Sequence, residues 1–241
     1  MNCPSISIII PVLNEAPLVT HALSALSGLR ARGCEVIVVD GGSNDGTLDA
    51  AKNSGLADAV ISCQRGRARQ MNDGARVARG GLLLFLHADT CLPPDASSVL
   101  IATLCAGNPA SSCRRRVWGR FDVRIEGRHW ILPLVARCMN LRSRLSGIVT
   151  GDQALFVMRD LFERCGGYPV QPLMEDIALS RILKRHSAPV CLRATVVTSG
   201  RRWERHGALR TILLMWRLRL AYFFGVSPEH LARRYQRHGH D

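Results

Sequence analysis

The sequence predicts an α/β fold, a Rossmann-like and largely parallel sheet flanked by helices, with a helical segment at its C-terminal end. Three observations carry that prediction. Short β-branched runs alternate with segments of helical spacing over residues 5–90. The runs SIIIPV, VIVVD and LLLFL are apolar throughout rather than alternating, as strands buried on both faces are. Each run stops on polar residues: Asn14-Glu15, Asp40-Gly41-Gly42, and His87-Ala88-Asp89. Ligands bind off the carboxyl ends of strands in such sheets, so these three groups are expected on one rim.

The elements follow in order. Ser5–Val12, containing Pro11, reads as the first strand. Residues 16–29 carry Leu18, Ala22, Leu23 and Leu26 at helical spacing, with Gly28 near the end. Cys34–Asp40 is a second buried strand, GGSNDGT (41–47) a turn cluster and Leu48–Asn53 a short helix. Asp58–Ser62 is a third strand, Ala68–Ala78 a helix and Gly81–Leu86 a fourth strand. Beyond these, Pro93-Pro94 opens a helix to about Cys105, and AGNPASSCRRR (106–116) is a polar, basic loop. Val117–Ile125 reads as a strand, His129–Leu141 as a helix and Asp152–Met158 as a strand. Glu175–Arg185 places Ile177, Leu179, Ile182 and Leu183 along a helix. Val190–Thr198 is strand-like, and the tail from Trp203 is helical. There is no internal repeat or long linker. The expected organisation is one domain over 1–204 and a helical appendage over 205–241.

Composition bounds the function. Of 241 residues 47% are hydrophobic, which supports a real core and excludes global disorder. The net charge of +13 favours anionic partners. Aromatics are only 5%, and neither zinc-finger spacing nor an RNA-recognition signature occurs, so no nucleic-acid partner is expected. The nine cysteines form no C-x-x-C pair. The first apolar run, Ile6–Ile10, is too short for a secretory leader and has no basic flank. The expectation is a reducing cytoplasm, with most thiols serving as small core residues. No apolar run is long enough to span a bilayer.

Five clusters carry candidate chemistry, each with a plain structural alternative. Asp40, followed by Gly41 and Gly42, offers a carboxylate and close backbone approach to a ribose or base, or it is an ordinary turn before a helix. A dinucleotide-binding fold would put G-x-G-x-x-G after the first strand, where this chain has Pro11-Val12-Leu13-Asn14-Glu15. His87 and Asp89, two apart, leave an extended strand on one side and suit a divalent cation on phosphate oxygens. Equally, Asp89 or Thr90 caps a helix. Glu175-Asp176 opens a helix, where carboxylates gain from the dipole or serve as a general base. Gly151-Asp152-Gln153 is either a turn or a second polar cluster. Arg67, in the first turn of a helix, suits an anionic ligand better than it suits the dipole, or it lies on a solvated face.

The order of these blocks is more specific than any one of them. SIIIPVLNE, VIVVDGGSNDGT, GRARQMNDGA, LLLFLHADT, GDQALFV and MEDIALSRIL together resemble the family 2 glycosyltransferases of GT-A fold, which are inverting and use nucleotide-diphospho sugars. The resemblance covers roughly residues 5 to 200. Within the family the chain most resembles a bacterial subgroup named for arsenosugar or selenium-related pathways. The resemblance implies that Pro11, Asn14 and Glu15 line the nucleotide pocket, with Gly42 beside them. It implies that Asp40 contacts the base or ribose and Arg67 the base or phosphate. Asp89 matches the last aspartate of the family's D-x-D motif, which holds a divalent cation, manganese or magnesium. His87 stands where the first aspartate is usual, removing one negative charge beside the diphosphate. It is read as a second metal or donor contact. Asp176 matches the general base and Glu175 orients it or the acceptor. Asp152, Gln153 and Trp118 are the acceptor-side candidates, with Arg120 and the loop 166–173 nearby.

The tail is the other informative stretch. LRTILLMWRLRLAYFF (209–224) is apolar around most of a helix and is interrupted by Arg210, Arg217 and Arg219. It either packs on the domain or a second copy, giving a homodimer, or lies at a membrane surface with Trp216 and Tyr222 at the boundary. The second reading suits a lipid-linked rather than a small-molecule acceptor and puts the protein at the inner face of the membrane. The terminal HGHD is expected to be a disordered end. Competing classes are a non-catalytic nucleotide-sugar-binding protein of the same fold, a nucleotidyltransferase, and a basic nucleic-acid binder.

Overall fold

The structure is a computed structural model that describes residues 4–105 and 117–237. The basic loop expected at 106–116 and the terminal HGHD lie outside the described residues. A single eight-stranded sheet runs in the order β3-β2-β1-β4-β7-β6-β8-β5. Its strands are β1 (Ile6–Val12), β2 (Glu35–Asp40), β3 (Ala59–Ser62), β4 (Leu82–Phe85), β5 (Thr90–Cys91), β6 (Trp118–Glu126), β7 (Phe156–Met158) and β8 (Val190–Ser199). The first four are mutually parallel, with Ile8 opposite Val36 on one side and Leu84 on the other. The far half is mixed. β7 runs antiparallel to both β4 and β6, β5 is antiparallel to β8, and β6 and β8 are parallel.

The helices are α1 (Ala16–Ala25), α2 (Ser27–Ala31), α3 (Thr47–Asn53), α4 (Arg67–Val77), α5 (Ala96–Cys105), α6 (Leu132–Ser146), α7 (Arg159–Arg164), α8 (Glu175–Lys184), α9 (Arg201–His206), α10 (Ala208–Phe223) and α11 (Pro228–Arg237). Strand alternation divides the core between two faces. Ile6, Ile8, Ile10 and Val12 pack with Val19, Leu23 and Leu26 of the α1 region and with Ala96 and Leu100 of α5. Ile9, Ile37 and Val39 pack on the opposite face with Ala68, Met71 and Ala75 of α4 and with Leu179 and Leu183 of α8. Helices on both faces explain why the central strands are apolar at every position.

Several expectations change in detail. The helix expected over 16–29 is two helices divided at Leu26. The strand expected from Asp152 begins only at Phe156. Gly151–Gln153 is instead a turn of 3₁₀ helix, closed by reciprocal hydrogen bonds between Thr150 and Gln153. The helix expected at His129 begins at Leu132, has a proline in its first turn and ends at Gly147 with φ 67°. The cysteines are not mainly core residues. Of the seven described, only Cys34 is buried and two are exposed.

The tail is three helices, and the boundary expected between 204 and 205 falls inside α9. Leu218 and Leu231 are buried against Met174 and Ile177 at the start of α8, with Leu214, Met215 and Tyr222 beside them. That contact brings the C-terminal helices to the carboxyl ends of the strands.

Candidate active site

Two rim loops are fastened to each other at the ends of β1 and β2. Asn14 adopts a left-handed φ of 53°. Its side-chain oxygen accepts the Asn44 N–H at 3.0 Å, and its own N–H donates to Ser43 Oγ at 2.9 Å. The Glu15 N–H donates to Thr47 Oγ1 at 2.8 Å and the Ala16 N–H to Asp45 Oδ2 at 3.1 Å. Asp40 is buried, and its carboxylate accepts the N–H groups of Gly42 and Ser43 at 2.9 and 3.0 Å together with the Ser43 hydroxyl. Gln70 of α4 donates to the carbonyls of Val12 and Val39, tying the helix to both strand ends. A Cβ on Gly41 would lie 2.9 Å from the Gln70 amide carbon. Asn14, Asp40 and Gly42 therefore belong to this fastened rim, and Pro11 lies in β1 just before it, opposite Val39.

A cleft opens beside the rim. It is lined by Glu15, Arg67, His87, Asp89, Asp152, Glu175 and Asp176, so seven of the candidate residues meet in one place. Thr150, Thr198, Trp203, Thr211, Met215 and Arg219 are also on its wall, the last three from α10. Two acceptor candidates do not reach it. Trp118 is fully buried in the core, and its indole N–H donates to the Ser187 carbonyl. Gln153 is fully buried too, bonding Ser143 at 3.1 Å and bracing the backbone of Thr150. Both are corrected from acceptor contacts to structural residues. Arg120 is likewise enclosed, paired with Asp122 and donating to the carbonyls of Phe121 and Asn140.

His87 and Asp89 share the cleft for a reason other than strand alternation. β4 ends at Phe85 and the two residues lie in a turn closed by the Thr90 N–H on the His87 carbonyl at 3.1 Å. Thr90 caps no helix. It begins β5, and its hydroxyl bonds that of Thr198 at 3.0 Å. The His87 ring packs on Gly151, where any side chain would collide with it, and its Nδ1 lies 3.4 Å from Asp152 Oδ1. Enclosure raises the Asp152 pKa, but the hydrogen bond and charge of His87, then Arg67 and Arg219, outweigh it and hold the group below the usual carboxylate value. Asp89 faces Arg201 at 3.9 Å, and Glu15 faces the same guanidinium at 3.6 Å. Burial raises the Glu15 pKa, Arg201 lowers it and Asp89 raises it, with a net rise.

Glu175 and Asp176 open α8 after Met174, which holds a left-handed φ of 64°. This is a strained conformation for a side chain of that size, and such strain gathers at functional sites. Asp176 Oδ2 accepts the Gly151 N–H at 3.0 Å and Oδ1 accepts the Ile177 N–H at 2.7 Å. Glu175 is buried, and desolvation, then the charge of Asp176, raises its pKa. Two arginines that sequence reasoning did not select lie close by. Arg142 of α6 is pushed down to about 10 by burial and then by the charge of Arg219. Arg219 is lowered by burial against the opposing pull of Asp176 and Asp152. Nothing in WRLRLAYFF (216–224) marks the arginine that turns inward.

A family model described as glycosyl transferase family 2 matches residues 7–166. Over 173 residues the chain is 31% identical to a PGL/p-HBAD biosynthesis glycosyltransferase of Mycobacterium bovis, covering 70% of this chain and 64% of that protein. Over 189 residues it is 24% identical to a poly-beta-1,6-N-acetyl-D-glucosamine synthase of Staphylococcus epidermidis, covering 73% and 44%. It thus spans less than two thirds of the length of these relatives. A mannosyltransferase from Pyrobaculum calidifontis, in complex with GDP-Man and Mn2+, superposes with a TM-score of 0.64 at 23% identity, covering 92% of this chain and 62% of that one. A glucosyl-3-phosphoglycerate synthase from Mycobacterium tuberculosis, in complex with Mn2+, UDP and phosphoglyceric acid, superposes with a TM-score of 0.58 at 20% identity, covering 80% and 69%. The likeness at these identities is one of fold, and the fold is of GT-A type.

Proposed function

The chain belongs to glycosyl transferase family 2, and on that premise we propose that it moves a sugar from a nucleotide-diphospho sugar, by preference a UDP-sugar, to an acceptor hydroxyl with inversion at the anomeric carbon. The observation that carries this reading is the meeting of Asp89 and the Glu175-Asp176 pair in one cleft, beside the rim formed by the ends of β1 and β2. Asp176 takes the acceptor proton. Its carboxylate is aimed by two backbone N–H groups, each oxygen keeping a lone pair. The acceptor oxygen then attacks the anomeric carbon. The bond to the diphosphate breaks on the opposite face, and the electron pair leaves with the nucleoside diphosphate. Arg67, exposed in the first turn of α4 and lining the cleft, is placed to meet an anion.

The donor set fits a divalent cation. Glu15 and Asp89 converge on one positive group, Arg201, so the place is built for positive charge. Among the described residues no three His, Cys, Asp or Glu side chains are placed to hold a metal ion by themselves. That suits a cation taking most of its oxygens from the substrate phosphates and one or two from carboxylates. Held by Asp89, manganese or magnesium would neutralise charge on the departing diphosphate. His87 enters this reading through Asp152 and Gly151 rather than as a metal ligand. The neighbours complexed with Mn2+ and with GDP-Man or UDP support the same assignment.

The acceptor proposal follows from α10. Its inner positions Thr211, Met215 and Arg219 line the cleft, while Leu209, Leu213, Trp216, Leu220 and Phe223 are all more than half exposed on the outer face. Arg210 and Arg217 are exposed on the same helix. A helix with one face on the chemistry and one apolar face outward favours a lipid-linked acceptor met at an anionic membrane surface over a second copy of the chain. No helix among the described residues is long and apolar enough to cross a membrane. Cytoplasmic placement and the arsenosugar or selenium-related subgroup are proposed on sequence grounds alone.

Asp176→Asn tests the chemistry. Transfer is expected to fall by about 10²–10⁴-fold while the variant binds donor as wild type does. Transfer near the wild-type rate would remove Asp176 as the base. Donor binding by a wild type that transfers to no acceptor would favour the non-catalytic binding protein.

A further inference from the structure

Arg142 and Arg219 are half-buried like charges whose hydrogen-bonding capacity is largely unused. The Nε atom of each is buried and has no partner. Among the described residues the one side-chain hydrogen bond of Arg142 is a 3.5 Å contact from Nη2 to Thr150 Oγ1. Among the described residues Arg219 makes no hydrogen bond, and neither guanidinium forms an ion pair with a carboxylate. Each guanidinium carries five N–H donors, and a buried donor left unsatisfied is costly. The nearby carboxylates are engaged elsewhere, Asp176 by the N–H groups of Gly151 and Ile177 and Asp152 by His87. The Nε of Arg120 is unpartnered too, so the contrast lies in the end groups: those of Arg120, a structural arginine, are held by Asp122 and two carbonyls. Arg142 and Arg219 lack such partners, and they repel each other.

We infer that Arg142 and Arg219 form a subsite for an anionic oxygen group, phosphate or carboxylate, carried by the acceptor. The inference rests on the transferase reading for the acceptor's place. Arg219 lines the cleft with Asp176, the proposed base, whereas the cationic groups on the donor side are Arg67 and Arg201. An anion beside the arginines fills the open donors, offsets the repulsion between them and sets the acceptor hydroxyl near Asp176. Because Arg219 belongs to α10, the C-terminal helices supply part of the acceptor site and do more than cover it.

Inorganic phosphate is the probe, titrated calorimetrically into the whole protein with and without saturating UDP and magnesium. Phosphate is expected to bind in both conditions. Arg219→Gln and Arg142→Gln should each weaken it by about tenfold or more while leaving UDP affinity within about threefold. Arg219→Lys keeps the charge without the fork and should fall between wild type and Arg219→Gln, which keeps the test open should the glutamine variants fold poorly. Displacement of phosphate by UDP, with UDP affinity lost in Arg219→Gln, would assign the pair to the donor diphosphate and overturn the inference. Phosphate binding that ignores both substitutions would mean an adventitious ion only and would overturn it as well. Failure of the transferase reading shows separately, as a protein that binds phosphate at these arginines and binds no nucleoside diphosphate.

Discussion

Glu175 and Asp176 are neighbours in sequence with opposite surroundings. Asp176 meets the cleft on two backbone N–H groups, while Glu175 is only 6% exposed and carries a raised pKa from burial and from Asp176. A carboxyl whose folded-state pKa lies above its unfolded value favours folding below the unfolded value. It loses that contribution as pH rises through the folded one. Glu175→Gln removes the titration, so its melting temperature relative to wild type should rise from pH 4 to pH 8. A difference that shrinks with pH would contradict the buried, raised Glu175. Asp152 has the opposite sign. Its lowered pKa contributes stability above the ordinary 3.8 and loses it as pH falls through the folded value. At this scale the sequence was informative where a motif fixed the place. Asp89, Glu175 and Asp176 reach the cleft. It was silent where burial decides the role. Trp118 looked like a binding aromatic and is core, while Arg219 looked like one of three arginines on an apolar helix and is the one turned inward.

At the scale of elements, strands buried on both faces were the most legible, because continuous apolar runs have one easy place in an α/β sheet. The two-residue β5 and the six-residue α7 escaped notice, since neither is long enough to show a period. The direction of β7 was equally hidden, because pairing is a long-range choice that a three-residue apolar run does not encode. α4 yields a sharp test. A Cβ on Gly74 would lie 2.5 Å from Ile9 Cγ2 and 2.9 Å from Val39 Cγ2, where the helix crosses the sheet. Alanine is the better helix former by about 1 kcal/mol. Overpacking is expected to outweigh that, so Gly74→Ala should cost about 1–3 kcal/mol in urea unfolding. A stabilised variant would show that α4 can lift off β1. For α10, Trp216→Ser combined with Leu220→Ser should abolish binding to anionic liposomes at low salt and leave the melting temperature within a few degrees, because both side chains are exposed. Wild-type protein that ignores such liposomes would leave the outer face to a second copy.

Taken whole, the molecule divides its task along the sheet. The parallel half, β3-β2-β1-β4, ends in the rim proposed for the nucleotide, fastened by Asn14, Ser43, Asp45 and Thr47. The mixed half, with α8 and the docked α10 and α11, supplies Asp152, Asp176 and Arg219. The sugar would pass between the two halves. The measurement that bears most directly on this account is donor binding by calorimetry. UDP-, GDP- and dTDP-sugars would be titrated with and without manganese into wild type and Asp89→Ala. The account predicts that one donor binds, that binding needs manganese, and that Asp89→Ala weakens it by tenfold or more, to about the level of metal-free wild type. Donor binding indifferent to both manganese and Asp89 would contradict the cation site, and binding of no nucleotide sugar at all would contradict the transferase reading itself.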